Sequence, residues 1–182
     1  MSPKWISIGL KMKTSLIISL FLFVNLISTN EEINEEVTIN GVTFLYGKIN
    51  REGLTSDRYN VWFKSAYDRY QFSEEMLSQL KEEKLKGLTV KLFMGTWCGD
   101  SQRNVPVFYK FMDRYNIAEK QLEAHALDLR KQGPENEQQT YGISRVPTII
   151  FYRKGKEIGR FIERPQLGKR LEELWVEIIN RD

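Results

Sequence analysis

Thiol and imidazole groups are scarce in this sequence of 182 residues, which contains one cysteine, Cys98, and one histidine, His125. A single cysteine excludes an internal disulfide framework. One cysteine and one histidine cannot supply the four ligands of a closed zinc site. Cys98 is therefore either an inert core thiol or a lone reactive one, and we expect neither a metal ion nor an organic cofactor.

An excess of either sign of charge is also missing. The chain has 27 Lys+Arg and 24 Asp+Glu, a formal net charge of +3. Residues 1–30 hold three lysines and no acidic residue, so their removal would leave a formal net charge of 0. Because no part of the chain has the basic excess of a nucleic-acid footprint, we expect no nucleic acid as partner. The length suits one domain of ordinary size.

A long hydrophobic run is absent as well. The one pronounced apolar run, residues 16–27, follows three lysines and precedes three small polar residues, an order typical of a secretory signal peptide. These residues would form about 18 Å of helix, short of a hydrocarbon core of about 30 Å. We therefore expect residues 1–30 to be a signal peptide, with translation starting at Met1 or Met12. The protein would be periplasmic or secreted, without stable membrane insertion after cleavage; the alternative is an uncleaved anchor.

Residues 31–72 are interpreted as an N-terminal extension. Within them, residues 37–44 place Asn-Gly between β-branched residues, which predicts a β-hairpin. Residues 50–59 are interpreted as a polar loop. The pattern leaves open the local structure of the aromatic cluster that follows: Trp62, Phe63, Tyr67, Tyr70 and Phe72.

Residues 73–182 are interpreted as the main domain, in which helices and strands alternate. Ser73 is a favourable N-cap, and the apolar spacing predicts a helix from there to Gly87, followed by a buried strand at 88–94. A second helix is predicted from Gly99, interrupted by Pro106. The remaining predictions are a strand at 122–129, a helix over 134–142, strands at 146–152 and 157–162, and a last helix with Leu167, Leu171, Leu174, Trp175 and Ile178 on one face.

The chemistry is concentrated around Cys98, which follows a predicted strand and opens a predicted helix. Free backbone N–H groups and the positive end of the helix dipole favour a thiolate at this position. Asp100 opposes it by charge repulsion, whereas Ser101 is placed to donate a hydrogen bond. Trp97 is expected to be exposed beside the thiol and to form part of a contact surface. These residues together predict a moderately activated nucleophile.

Several segments jointly resemble the thioredoxin family. They are Gly95-Thr96-Trp97-Cys98-Gly99-Asp100-Ser101, Pro106, and Gly142-Ile143-Ser144-Arg145-Val146-Pro147-Thr148 followed by an apolar strand and a Lys154-Gly155 turn. The resemblance covers about residues 73–180. It implies a thioredoxin-like α/β fold, with a central mixed sheet and helices on both faces, to which the N-terminal hairpin is added. It also implies that Pro147 is cis and lies against Cys98, and that Val146 offers its backbone to an extended substrate.

The sequence departs from the family pattern at the second sulfur. Ser101 stands where the family's Trp-Cys-x-x-Cys motif has its resolving cysteine. Leu92 stands where thioredoxins usually keep a buried aspartate, and Ala124 where a lysine often partners it. The serine, together with Phe108-Tyr109-Lys110, Gly159-Arg160 and Glu163-Arg164-Pro165, is similar to a bacterial subgroup that carries Trp-Cys-Gly-Asp-Ser.

Two functional classes follow from these residues. In the first, Cys98 and Ser101 form the catalytic centre of monothiol exchange with a protein or low-molecular-weight disulfide or thiol, and Trp97, Val146 and Pro147 bind the substrate. In the second, the fold is a non-catalytic binding module for exported polypeptides or a partner protein. His125 lies in a predicted strand and is interpreted as a structural residue rather than the base of a Cys-His hydrolase.

Overall fold

A computed structural model describes residues 32–181 of the chain. The predicted signal peptide therefore lies outside the described residues. Within the described range, no helix combines the length and the apolar composition that crossing a membrane requires.

Six strands of the described part form one mixed sheet in the order β1-β2-β4-β3-β5-β6. The two central strands, β3 and β4, run parallel, and every other neighbouring pair is antiparallel. The strands are β1 (Glu35–Ile39), β2 (Val42–Ile49), β3 (Leu88–Met94), β4 (Leu122–Ala126), β5 (Thr148–Arg153) and β6 (Lys156–Ile162).

The helices of the described residues are α1 (Arg51–Leu54), α2 (Asp57–Arg69), α3 (Glu74–Leu77), α4 (Gly99–Arg114), α5 (Glu137–Thr140) and α6 (Leu171–Ile179). Short 3₁₀ turns lie at Glu82–Leu85 and Glu119–Gln121. Side chains from α2, α4 and α6 share the large core with β2 to β5, and a smaller cluster around Phe93, Val146 and Ile150 forms a second core. The predicted α/β architecture with a mixed central sheet is confirmed.

The hairpin prediction is confirmed, because β1 and β2 pair around Asn40 and Gly41, which both have positive φ. The polar-loop interpretation of residues 50–59 is wrong, since this segment contains α1 and the start of α2. Asn50 caps α1 by accepting a hydrogen bond from the Gly53 N–H, at 3.1 Å. The hairpin also joins the main sheet, because β2 pairs with β4.

The aromatic cluster that the sequence left open belongs largely to α2 and the turn after it. Tyr59 and Phe63, one helical turn apart, are both buried. The ring of Phe63 lies 5.6 Å from that of Tyr109 on α4. Burial of the Tyr59 and Phe63 side chains in the folded protein therefore stabilises helix α2, although much of its sequence is polar.

The single helix predicted from Ser73 to Gly87 is wrong beyond its first turn. Ser73 caps α3 as expected, but α3 ends at Leu77. The backbone then bonds to α6 instead of continuing: Asn180 accepts from the Lys81 N–H and donates to the Gln79 carbonyl. Because Asn180 satisfies these backbone groups, the segment can leave the helix.

Several boundaries differ from the sequence prediction: the helix predicted over 134–142 is the shorter α5 (Glu137–Thr140), and the strand predicted from Val146 begins at Thr148. The strand predicted over 122–129 ends at Ala126, because the Asp128 carboxylate accepts from the N–H groups of Arg130 and Gln132 in a turn. The last helix begins at Leu171, and Leu167, expected on its apolar face, is fully exposed. Helix α4 continues through Pro106.

Candidate functional site

Cys98 lies at the junction between β3 and α4, where it is the N-cap residue of the helix. Its N–H donates to the Gly95 carbonyl at 2.9 Å, and its carbonyl accepts from the Gln102 N–H at 2.9 Å. The side chain is half-buried and makes no side-chain cap to the helix. The thiol is therefore held at the start of a helix of 16 residues with its sulfur free for other contacts.

The sulfur faces the loop between α5 and β5. Cys98 Sγ donates a hydrogen bond to the carbonyl oxygen of Val146 at 3.4 Å. The Val146–Pro147 peptide bond is cis, and both residues are buried. The structure thus brings Cys98, Val146 and Pro147 together, although they lie far apart in the chain.

Ser101 has a different partner from the one expected. Its side chain is 0% exposed, and its Oγ accepts a hydrogen bond from the Gly95 N–H at 3.3 Å. In the part of the chain that the structure describes, no hydrogen bond joins Ser101 to Cys98. Ser101 therefore fixes the loop in front of the cysteine from inside the fold, while the thiol itself turns to Val146.

Trp97 is half-buried rather than exposed, because its ring is fixed on both sides. The indole Nε1 donates to the Leu127 carbonyl at 2.9 Å. The ring also lies against Gly95, where an added Cβ would come within 2.5 Å of Trp97 Cε2. Glycine at position 95 is thus required by this close approach, and the tryptophan presents a rigid, partly open surface next to Cys98.

The negative charge beside the thiol is compensated. Asp100, in the first turn of α4, forms an ion pair with Arg103 one turn later. The arginine offsets the repulsion that Asp100 would exert on a thiolate at Cys98. The electrostatic opposition expected from the sequence is accordingly weaker in the folded protein.

The two departures from the family pattern in the sheet are neighbours. Leu92 on β3 and Ala124 on β4 are direct register partners, and both are buried. This pair places two buried apolar side chains side by side on the two central strands. Neither residue can accept or donate a proton.

His125 contacts carboxylates and an aromatic ring. Its Nε2 lies 2.9 Å from Glu123 Oε1, its Nδ1 lies 3.4 Å from Glu137 Oε1, and its ring stacks on Phe93 with centroids 5.4 Å apart. Among residues 32–181, no hydrogen bond or ion pair joins His125 to Cys98. The interpretation of His125 as structural agrees with these contacts.

A set of residues that sequence reasoning did not single out individually holds the loop in front of the thiol. Glu163 donates its N–H to the Pro147 carbonyl at 2.6 Å and pairs through its side chain with Arg145 at 3.2 Å. Asn104, buried on α4, donates to the Glu163 carbonyl at 2.8 Å. In the sequence, the Glu163-Arg164-Pro165 motif was the one signal for this arrangement. The motif alone does not predict that it lies beside residues 145–147, because that proximity arises only in the fold. No group of three or more metal-binding side chains occurs in the described residues.

A sequence model of the family described as thioredoxin matches residues 53–175. Thioredoxin-2 of Saccharomyces cerevisiae is 33% identical over 75 residues, which cover 41% of this chain and 66% of that protein. A thioredoxin-like protein of Acanthamoeba polyphaga mimivirus is 28% identical over 83 residues, 46% of this chain and 58% of that protein. The chain thus spans less than two thirds of the length of each of these curated relatives.

Solved structures of thioredoxins are also similar to this chain. The thioredoxin of Malassezia sympodialis has 26% identity and a TM-score of 0.37, covering 52% of this chain and 75% of that one. A thioredoxin of Nicotiana alata has 23% identity and a TM-score of 0.38, covering 70% of this chain and 88% of that one.

Proposed function

The chain belongs to the thioredoxin family, and on this premise we propose that it is an exported protein that performs monothiol thiol–disulfide exchange through Cys98. A thioredoxin-like fold is consistent with thiol–disulfide exchange in general. The observation that carries the proposal is the place of the single thiol, at the start of α4 and 3.4 Å from the Val146 carbonyl beside Pro147.

The exchange proceeds in two balanced steps. The Cys98 thiolate attacks one sulfur of a substrate disulfide, so that a mixed disulfide forms and the other substrate sulfur leaves as a thiolate that takes up a proton. An external thiol, as its thiolate, then attacks the substrate sulfur of the mixed disulfide. This second step releases Cys98 as a thiolate and leaves a disulfide between the external thiol and the substrate.

The absence of an internal second step is supported by the surroundings of Ser101. A hydroxyl cannot resolve a mixed disulfide, and the buried Leu92–Ala124 pair offers no group to handle a second proton. An external thiol must therefore resolve the mixed disulfide. An adjacent cysteine would do so at a much higher effective concentration. We expect slow exchange with protein disulfides and accumulation of mixed disulfides, so that the protein is a poor general reductase.

Substrate binding is assigned to the residues around the sulfur. Val146 offers its backbone to an extended segment, Pro147 shapes the loop, and Trp97 provides a rigid flank. The partner is a protein or a low-molecular-weight disulfide or thiol. Since the Cys98 thiol donates to the Val146 carbonyl at rest, an incoming backbone N–H would compete for the same oxygen.

The main experiment measures turnover of a disulfide substrate with excess thiol, with intact mass recorded for each protein. Wild type should form a thiol adduct on Cys98 and turn over slowly, whereas Cys98→Ser should do neither. Ser101→Cys should form an internal disulfide and turn over faster, and Ser101→Ala is its matched control without new sulfur. Equal rates in wild type and Cys98→Ser, with no adduct, would leave the non-catalytic binding module as the better account.

Export is tested separately. We propose that residues 1–30 are removed and that residues 31–182, comprising the extension 31–72 and the domain 73–182, are released in the periplasm or outside the cell. N-terminal sequencing of the protein from the envelope fraction should give a start near Glu31. Recovery of the intact leader in membranes would instead show an uncleaved anchor.

A further inference from the structure

The residue that closes the loop in front of Cys98 has an unusual backbone conformation. Seven non-glycine residues have positive φ among residues 32–181, and four of them are asparagines, which tolerate this region. Glu163 is one of the other three, with φ of 61°. Glutamate gains nothing locally from the left-handed region, and glycine would occupy it without strain. The carboxylate therefore needs another reason to be at this position.

That reason lies in three contacts that converge on one residue. The Glu163 N–H holds the Pro147 carbonyl at 2.6 Å, and the Glu163 carbonyl is held by Asn104 at 2.8 Å. Any amino acid except proline could make these two backbone contacts. The third contact, from the carboxylate to Arg145 at 3.2 Å, requires an acidic side chain.

The contacts link the two parts of the site. Arg145 and Pro147 flank Val146, whose carbonyl oxygen accepts from Cys98 Sγ, and Asn104 lies on the helix that Cys98 opens. Thr148 adds a hydrogen bond of 2.7 Å to the Arg145 carbonyl at the start of β5. Glu163 thus connects the loop and the helix, with its side chain about three quarters buried, at 25% exposure.

We propose that Glu163 is a positioning residue for exchange at Cys98: through Arg145 it fixes the loop 145–147 so that the Val146 backbone stays aligned with the thiol. This inference rests on the proposed function of Cys98 and deepens it. It assigns the alignment of an extended polypeptide substrate to the Glu163–Arg145 pair. A small disulfide that does not use the Val146 backbone depends on the pair much less.

The test compares two disulfides that share a leaving group. One is an extended peptide whose single cysteine is linked to 2-mercaptoethanol, and the other is 2-hydroxyethyl disulfide. In Glu163→Gln and Arg145→Met, kcat/KM for the peptide should fall by about fivefold, the effect of one partly buried ion pair, and the rate with the small disulfide should stay within about twofold. The double variant should lose no more than either single variant, because both remove the same contact.

Two further variants separate positioning from folding. Glu163→Gly relieves the left-handed strain and keeps both backbone contacts, so its thermal midpoint should not fall while its reaction with the peptide slows as in Glu163→Gln. Glu157→Gln is the matched control, because Glu157 also forms a partly buried ion pair, with Arg160, at the other end of β6. The control should react as wild type with both disulfides.

Hydrogen exchange of the peptide covering residues 143–148 gives a readout without catalysis. It should speed up in Glu163→Gln and Arg145→Met and stay unchanged in Glu157→Gln. If wild type reacts with neither disulfide, the proposed exchange function fails, and faster hydrogen exchange in the two variants would still support positioning of the loop. Unchanged hydrogen exchange, or equal slowing with both disulfides together with a lower thermal midpoint, would overturn the role of Glu163.

Discussion

The two halves of helix α4 make different contacts. The N-terminal half places Cys98, Ser101 and Asn104 against loops, through hydrogen bonds to Val146, Gly95 and Glu163. The C-terminal half packs rings: Phe108 and Phe111 lie 5.2 and 5.3 Å from Trp175 of α6. One helix therefore positions the Cys98 thiol at one end and packs into the hydrophobic core at the other.

This difference predicts that the proposed exchange at Cys98 and the stability of the fold can be changed separately. Aromatic burial contributes several kcal/mol for each large side chain, whereas a single hydrogen bond contributes about 1 kcal/mol. Substitutions in the C-terminal half should accordingly change the free energy of unfolding, and substitutions in the N-terminal half should change exchange more than stability.

The largest effect on stability is expected at Trp175, which is 0% exposed. Trp175→Ala should lower the free energy of unfolding by about 4 kcal/mol, because it removes contacts with three phenylalanine rings. Trp175→Phe should cost much less, since the buried indole Nε1 has no hydrogen-bond partner to lose. Urea denaturation measures both. Equal losses would show that the shape of the indole matters more than its burial, and a loss of exchange in the folded fraction would contradict the separation of the two halves.

The next largest effect on stability is expected at Glu172, a buried carboxylate on α6. Burial acts to raise the pKa of Glu172, but hydrogen bonds from the Ser73 N–H, the Tyr70 hydroxyl and Arg170 outweigh it and hold the pKa below the ordinary 4.5. Because the folded pKa is depressed, this stabilisation is fully present above pH 4.5 and is lost as the pH falls through the folded pKa. Glu172→Gln should cost about 3 kcal/mol at pH 7.

The pH dependence distinguishes the charge of Glu172 from its packing. Denaturation of wild type and Glu172→Gln at several pH values should show the two proteins converging in acid. A constant difference between them from neutral to acid pH would mean that the carboxylate contributes by shape and hydrogen bonding alone.

A smaller effect on stability is expected at Asn104, in the N-terminal half of α4. Asn104→Ala should lower the free energy of unfolding by about 1 to 2 kcal/mol, because the Glu163 carbonyl loses its donor. It should also slow exchange with a peptide disulfide more than with a small one. Asn180→Ala is the matched control, since Asn180 also bonds to the backbone of another segment, at Gln79 and Lys81. The control should lose stability without slowing exchange; similar slowing in both variants would contradict a local role for Asn104.

The smallest effect is expected at the last turn of α4, where Asp113 pairs with Arg51 at 2.7 Å. Burial acts to raise the pKa of Asp113, and hydrogen bonds from Arg51 and Tyr67 outweigh it and lower the pKa. Both side chains are about one third exposed, at 33% and 38%, so Asp113→Asn should cost less than about 1 kcal/mol. The loss should shrink at high salt. Asp68→Asn, in the more exposed pair with Lys64, should be neutral; an Asp113 effect of several kcal/mol would show a buried network instead.

The sequence predicted the elements around Cys98 better than those before residue 88. The strand at 88–94 and the start of the following helix at Gly99 agree with β3 and α4. Buried apolar runs and helix starts depend on residues that are neighbours in the sequence, so the sequence pattern predicts them well. The prediction of a loop over 50–59 is wrong because it rests on the polar composition of the segment. Tyr59 in this segment becomes buried only when α2 packs on α4.

The candidate site likewise combines residues that the sequence predicts with contacts that only the fold creates. The cysteine, the serine three residues later and the proline after Val146 are visible as motifs, and the structure brings the first and last of them together. The contact of Trp97 with Leu127 and the contacts of Glu163 were not predictable, because each joins residues that are far apart in the chain. The partner of Ser101 lies only six residues away, but the motif does not show which way the hydroxyl turns.

By itself, the sequence determined the number of cysteines, and with it the exclusion of an internal disulfide, as well as the hydrophobic periodicity of the central strands and of α4. These properties depend on composition and on neighbours within a few positions. Only the tertiary structure decided that the Trp97 indole reaches the Leu127 carbonyl, that the Cys98 thiol faces Val146, and that Glu163 reaches Arg145. The physical reason is that side-chain hydrogen bonds and ion pairs act over about 3 Å, and only folding brings residues distant in the chain within that range.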